Sequence, residues 1–160
     1  MSTALLVVDV QESFRLQPSW AQISAPDIVQ RVQRLVSHAR AGGDEVVWVL
    51  HSSPGSRGPF DPEGGMVALQ PGLEVREGDL TVTKTSHNAF TTTNLAQQLT
   101  HRAVRRVRIA GIRTEQCVET TARLAGDMGY EVEVVIDATA THSLALADGL
   151  SPHAGGCSHT

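Results

Sequence analysis

Positive charge is scarce in this chain: 13 Lys and Arg stand against 17 Asp and Glu in 160 residues, a formal net charge of −4. Four of the basic residues, Arg102, Arg105, Arg106 and Arg108, gather around one strand-like run. Too little is left to neutralise a phosphate backbone, so no nucleic-acid partner is expected. Long apolar runs are also missing. No window approaches the roughly 20 apolar residues of a membrane helix, and no basic region precedes the first apolar run, so neither a membrane partner nor a secretory leader is expected. Cysteine is limited to two residues, Cys117 and Cys157. That excludes the disulfide framework of small secreted domains and points to a reducing, cytoplasmic setting. What remains is ordinary for a globular protein, 41% apolar and 19% charged. The length suits one domain able to bury about two-thirds of its unfolded surface.

Residues 4–8, Ala-Leu-Leu-Val-Val, are continuously apolar, as in a strand buried on both faces, and Asp9 ends them. After a loop or short helical excursion over Val10 to Ser24, a helix is marked from Pro26 by Ile28, Val32, Leu35, Val36 and Ala39 on one face. Gly42-Gly43 closes it, and Glu45 to Leu50 reads as a second strand with His51 at its end. Residues 52–79 are too rich in glycine and proline for a regular element and are read as a pocket wall. Leu80 to Thr83 delivers Lys84, and a helix capped by Thr92 or Thr93 carries Leu95, Ala96 and Leu99. Arg106 to Ala110 leads to Gly111, a helix follows Cys117, and Tyr130 to Ile136 is a last strand closed by Asp137. This alternation predicts an α/β fold: a doubly wound, mainly parallel sheet with helices on both faces, a Rossmann-like three-layer sandwich. Residues 1–148 form the predicted domain, and 149–160 read as an irregular tail without periodicity.

In a parallel sheet the residues that close the strands gather along one edge, where open α/β sheets bind ligands. Asp9, His51, Lys84, the run Gly111 to Thr114 and Asp137 all take that position. Cys117 follows at an expected helix start, where free amides and the helix dipole favour a thiolate, and Lys84 pushes the same way. Singly these are weak signals: an isolated cysteine is commonly a small buried hydrophobe, and a lone lysine a solvated charge. Together they supply a nucleophile, a base and a cation.

Three motifs carry a family resemblance: Leu5-Leu6-Val7-Val8-Asp9-Val10-Gln11-Glu12-Ser13-Phe14, Lys84-Thr85-Ser86-His87-Asn88-Ala89-Phe90, and Gly111-Ile112-Arg113-Thr114-Glu115-Gln116-Cys117-Val118. On these the chain, over about residues 4–142, resembles the isochorismatase-like cysteine hydrolases, which include nicotinamidase and N-carbamoylsarcosine amidase. The resemblance implies a triad of Asp9, Lys84 and Cys117, a cis peptide at Ile112-Arg113, and an oxyanion hole from the backbone amides of Arg113 and Cys117. It implies hydrolysis of a C–N bond in a small amide or carbamoyl compound through a thioester, without a cofactor, by a homo-oligomer. Phe14, Trp20, His51 and Phe90 are the expected pocket walls.

Two departures qualify it. Nicotinamidase-like members hold zinc through an Asp-x-His after the second strand, whereas this chain has Val49-Leu50-His51 and no further His before His87, so no metal is expected. Members also continue with another helix and strand, which here are missing or replaced by the tail. The alternatives are a vinyl-ether hydrolase of the isochorismatase type, against which Cys117 stands, and a non-catalytic scaffold of the same fold. A phospho-receiver module fits less well, since Gln11 and His51 occupy the places where it needs acids.

Overall fold

In a computed structural model, described for residues 2–142, five strands form one parallel sheet. They are β1 (Ser2–Val8), β2 (Glu45–His51), β3 (Leu80–Lys84), β4 (Val104–Ile112) and β5 (Glu131–Ala140), in the order β3-β2-β1-β4-β5. The chain steps outward from β1 through β2 to β3, returns across the sheet to β4, and ends at β5. The order therefore reverses between β1 and β4, and the crevice at their C-terminal ends is where such a sheet takes a ligand. The predicted doubly wound α/β class is the one observed.

Apolar side chains of the strands divide between two cores. Leu5, Val7, Val46 and Trp48 pack against α2 (Ile28–Ala41), whose Ile28, Val32, Val36 and Ala39 recur at helical spacing. Phe60, Leu69 and Leu73 of the long connection join this core, so the crossover from β2 to β3, whose one regular element is a 3₁₀ turn at Pro62–Gly64, covers the same face. On the opposite face Ala4, Leu6, Val8, Val47 and Ile109 meet Leu95 and Leu99 of α3 (Leu95–His101) and Val118 and Ala125 next to and within α4 (Glu119–Asp127). The segment after β1 forms a single turn, α1 (Glu12–Arg15), and a 3₁₀ turn, Pro18–Gln22.

The connection over residues 52–79 holds its shape through buried acids. Asp61 accepts from the amides of Arg57 and Glu63 at 2.9 and 3.1 Å. At its end Asp79 Oδ2 accepts from the Trp48 indole at 2.9 Å, the Arg76 amide at 2.8 Å and Arg40 Nη2 at 2.5 Å. Residues 68–70 run antiparallel to the chain leaving β1: the Glu12 amide donates to the Ala68 carbonyl, and the Gln70 amide to the Val10 carbonyl.

Several boundaries differ from the expectation. The helix expected from Pro26 begins at Ile28, because Asp27 directs its carboxylate to Arg31 at 3.0 Å and does not cap the turn. The last strand does not stop at Ile136. Its register with β4 jumps from Ile109↔Val134 to Gly111↔Thr139, so extra β5 residues bulge out and hide the continuation from a period-2 reading. Asp137 is thereby exposed within the bulge and closes no strand, its carbonyl accepting from Arg31 Nη1 at 2.9 Å. The predicted tail, 149–160, and the helix and strand it was read as replacing lie outside the described residues. No helix among the described residues is long and apolar enough to cross a membrane.

Candidate active site

Polar side chains stand at the C-terminal ends of β1, β2 and β3: Asp9, His51 and Lys84. Asp9 follows β1 with φ 54°, a left-handed conformation that Asp tolerates better than most residues, while its amide completes the β1–β2 ladder on the Val49 carbonyl at 2.8 Å. In β3 the buried positions alternate as Leu80, Val82 and Lys84, so strand geometry turns the lysine inward. Gly111 lets β4 press against β1: its φ is 128°, and a Cβ there would sit 1.9 Å from the Val8 carbonyl oxygen. The Ile112-Arg113 peptide is cis. Thr114–Val118 then forms one π-helical turn before α4, a form of turn frequent at functional sites. The Gln116 and Val118 amides both donate to the Arg113 carbonyl, at 3.1 and 3.2 Å, on either side of Cys117.

These elements bring Asp9, Lys84 and Cys117 together. Lys84 Nζ lies 3.0 Å from Asp9 Oδ2 and 3.3 Å from Cys117 Sγ, and it donates to the Ser86 carbonyl at 3.0 Å and to His51 Nδ1 at 2.9 Å. Asp9 and Lys84 are wholly buried. Two charges so far from water persist only as a close pair with further hydrogen bonds, which the Ser86 carbonyl and His51 supply to the cation. Burial still pushes the Asp9 carboxyl above its ordinary range, against the pull of Lys84. Cys117 is pushed up to about 12, by burial first and the Asp9 charge second, with Lys84 opposing both. Burial and the Asp9 charge thus act against the thiolate that the helix start and Lys84 were expected to favour.

Over these groups lies a cavity of about 170 Å³, lined by Asp9, Phe14, His51, Arg113 and Cys117 among the residues singled out from the sequence. Phe14 and Phe60 meet edge to face at 5.0 Å, and Phe60 meets the His51 ring at 5.6 Å. The structure does not bring Trp20 or Phe90 to the cavity. Trp20 is partly buried against the core that α2 shares, while Phe90 is buried in the opposite core and stacks on Tyr130 at 5.9 Å. Ser53 and Phe60 of the connection read as a pocket wall do line it, while Gln17, His87, Gln116 and His142, which complete the lining, were not singled out from the sequence. Phe60 had a signal, as the one aromatic of residues 52–79, and Gln116 adjoins the nucleophile. A larger hollow of about 440 Å³ between α2 and β5 contains none of the buried charged groups.

Residues 3–149 match the family described as Isochorismatase domain. The chain belongs to the isochorismatase family. It is 36% identical over 152 residues to streptothricin hydrolase of Streptomyces noursei, a match that covers 92% of this chain and 58% of that protein. Among solved structures, a putative hydrolase of the isochorismatase family from Chromobacterium violaceum superposes with a TM-score of 0.87 at 27% identity, over 96% of this chain and 79% of that one. N-carbamoylsarcosine amidase from Thermoplasma acidophilum superposes with a TM-score of 0.76 at 25% identity, over 89% and 86%. The protein is thus an isochorismatase-family hydrolase in fold and kinship.

The zinc of nicotinamidase-like members fits poorly here. In the Asp-x-His pattern the aspartate position is held by Val49, which offers no ligand atom, and both ring nitrogens of His51 are engaged, Nδ1 by Lys84 and Nε2 by Ser53 Oγ at 3.3 Å.

Proposed function

We propose that this isochorismatase-family protein is a metal-independent cysteine hydrolase that cleaves the C–N bond of a small amide or carbamoyl compound. The observation that carries the reading is the buried Lys84 Nζ, 3.0 Å from a carboxylate and 3.3 Å from a thiol at the base of a cavity. With Cys117 held protonated, attack requires proton removal in the same step. As Cys117 Sγ bonds to the substrate carbonyl carbon, its proton passes to Asp9. The carbonyl oxygen takes up the negative charge and is met by the amides of Arg113 and Cys117. Collapse expels the nitrogen, which takes the proton back from Asp9, leaving a thioester and a free amine or ammonia. Asp9 then draws a proton from water, the hydroxyl adds to the thioester, and the acid departs as Cys117 recovers its proton. Lys84 balances the carboxylate throughout and disfavours its escape to solvent.

The cavity of about 170 Å³ over the thiol suits a small substrate. A panel of small amides, ureides and carbamoyl compounds assayed for ammonia, with and without a chelator, tests the reading. Release by the wild type, unaffected by the chelator and abolished in Cys117→Ala, is expected. If no compound is turned over, the scaffold reading gains; loss with chelator and recovery with zinc overturns metal independence.

A further inference from the structure

We propose that the Arg113 guanidinium is a recognition group for a negative charge on the substrate, so that the preferred compound is a small amide bearing a carboxylate. The inference deepens the hydrolase reading above and rests on it for turnover, while binding of the anion can be measured without turnover.

Arg113 stands between the end of β4 and the turn that carries Cys117, and at 9% exposure it is the one buried arginine among the described residues. A guanidinium carries five N–H donors in a planar fork and no acceptor, so out of water it needs several acceptors around it. The chain supplies few. Nη2 approaches Glu115 Oε1 at 2.6 Å but makes no hydrogen bond, and it is buried without a hydrogen-bond partner. Nε reaches Thr141 Oγ1 only at 3.5 Å, and Nη1 has no partner among the described residues. Two better solvated arginines are better served: Arg106 sets Nε and Nη2 on the Glu131 carboxylate at 3.1–3.3 Å, and Arg123 sets the same two nitrogens on Glu119 at 2.9 and 2.7 Å. The fork of Arg113 is left open. Its neighbour Glu115 keeps 36% of its side chain in solvent, so water can hold that carboxylate when another anion takes the guanidinium.

The cavity over Cys117 suits such an anion. Arg113 lines it, and Asp9 is the one acid among its described lining residues. Asp9 Oδ2 lies 3.0 Å from Lys84 Nζ, so the two charges cancel and the floor of the cavity does not repel a carboxylate. Gln17 and Gln116 also line it, and their side-chain amides, engaged in no hydrogen bond among the described residues, can donate to the same molecule. Arg113 and Cys117 are tied into one turn, the Gln116 and Val118 amides both donating to the Arg113 carbonyl. The charged group of the substrate therefore belongs within a few bonds of the scissile carbonyl.

Matched pairs of compounds that differ in charge test this: succinamate against succinamide, and malonamate against malonamide, by initial ammonia release. The wild type is expected to favour the anionic member by ~10-fold or more in kcat/KM, the size of a charge-assisted hydrogen bond. Arg113→Gln should abolish that preference mainly through KM, Arg113→Lys should keep part of it, and Glu115→Gln should strengthen it. Loss of a merely structural arginine slows both members alike and leaves their ratio unchanged; that result, or equal use of both by the wild type, overturns the inference and leaves the hydrolase reading in place. The arm without turnover follows protection of Cys117 from iodoacetamide by succinate and by succinamide, read by peptide mass spectrometry. Succinate should protect at a ~10-fold or more lower concentration, with the advantage lost in Arg113→Gln and increased in Glu115→Gln. Equal protection by the two compounds, or an advantage that persists in Arg113→Gln, overturns the inference. Should Arg113→Gln fail to fold, Glu115→Gln decides, and an unchanged advantage there overturns it as well. Protection by succinate with no amide turned over removes the hydrolase reading and leaves the anion site standing.

Discussion

Asp9→Asn should make Cys117 more reactive towards an alkylating agent and less able to hydrolyse an amide. Burial is the largest cause of the thiol's rise to about 12, and the Asp9 charge is the second. The substitution removes that charge, keeps the shape of the side chain and leaves Lys84 as an uncompensated cation. A unit charge in near contact at an effective dielectric of about 20 is worth about 4 kcal/mol, or roughly three pH units at 1.36 kcal/mol each. Burial persists in the variant, so the alkylation midpoint should fall from about 12 by at least ~1 pH unit, and the rate at pH 8 should rise ~10-fold or more. Over the same change kcat/KM should drop by ~10²–10⁴-fold, the range usual for loss of a general base. The two readings are taken on one preparation, alkylation by mass spectrometry and hydrolysis by ammonia release. A variant that alkylates at the wild-type rate or slower would refute the idea that the carboxylate holds the thiol in its protonated form. A variant that alkylates faster and hydrolyses just as well would show that the proton leaves by another route.

Three further outcomes follow from the same geometry. Lys84→Met should cost about 3–5 kcal/mol in urea unfolding because it strands a buried carboxylate, and combining it with Asp9→Asn should recover most of that loss; additive effects would mean that the pair is not coupled. Gly111→Ala places a methyl 1.9 Å from the Val8 carbonyl oxygen and demands a φ of 128°, so a loss of stability at or above the ~1–3 kcal/mol of ordinary overpacking is expected, with wild-type melting behaviour as the contrary result. Because the folded-state pKa of Cys117 is raised, from an ordinary 9.0 to about 12, the thiol contributes fully below pH 9 and its contribution is lost as pH rises towards 12. The stability advantage of the wild type over Cys117→Ala should shrink by up to ~4 kcal/mol across that window, and a constant difference in chemical denaturation would contradict it.

Much of this site could be read from the chain because a parallel sheet gathers its strand ends whatever their distance in sequence. Asp9 follows an unbroken apolar strand, and Lys84 occupies the inward phase of Leu80-Thr81-Val82-Thr83-Lys84, so both could be placed by period alone. Contacts that depend on side-chain reach could not. The 2.9 Å approach of Lys84 Nζ to His51 Nδ1 joins neighbouring strands through side chains whose directions no spacing rule supplies. The thiol's setting was visible only in part for a related reason: a helix start and a lysine can be read in sequence, whereas the burial that acts against them cannot. Phe90 failed as a pocket wall because the turn after Lys84 carries it into the opposite core, onto Tyr130. The extension of β5 to Ala140 escaped notice because a bulge breaks the alternation before the chain rejoins β4.

The crossover between β2 and β3 divides the molecule into parts that can change at different rates. Its fold depends on Asp61, on Asp79 and on backbone pairing beside Gln11, while Ser53 and Phe60 are its side chains that reach the cavity. Neither of these two contacts Lys84 directly through a hydrogen bond, and neither belongs to the strands that present Asp9, Lys84 and Cys117. Both touch the His51 ring, which in turn bonds Lys84, so substitutions at positions 53 and 60 change the cavity wall directly and reach the buried charges only through His51.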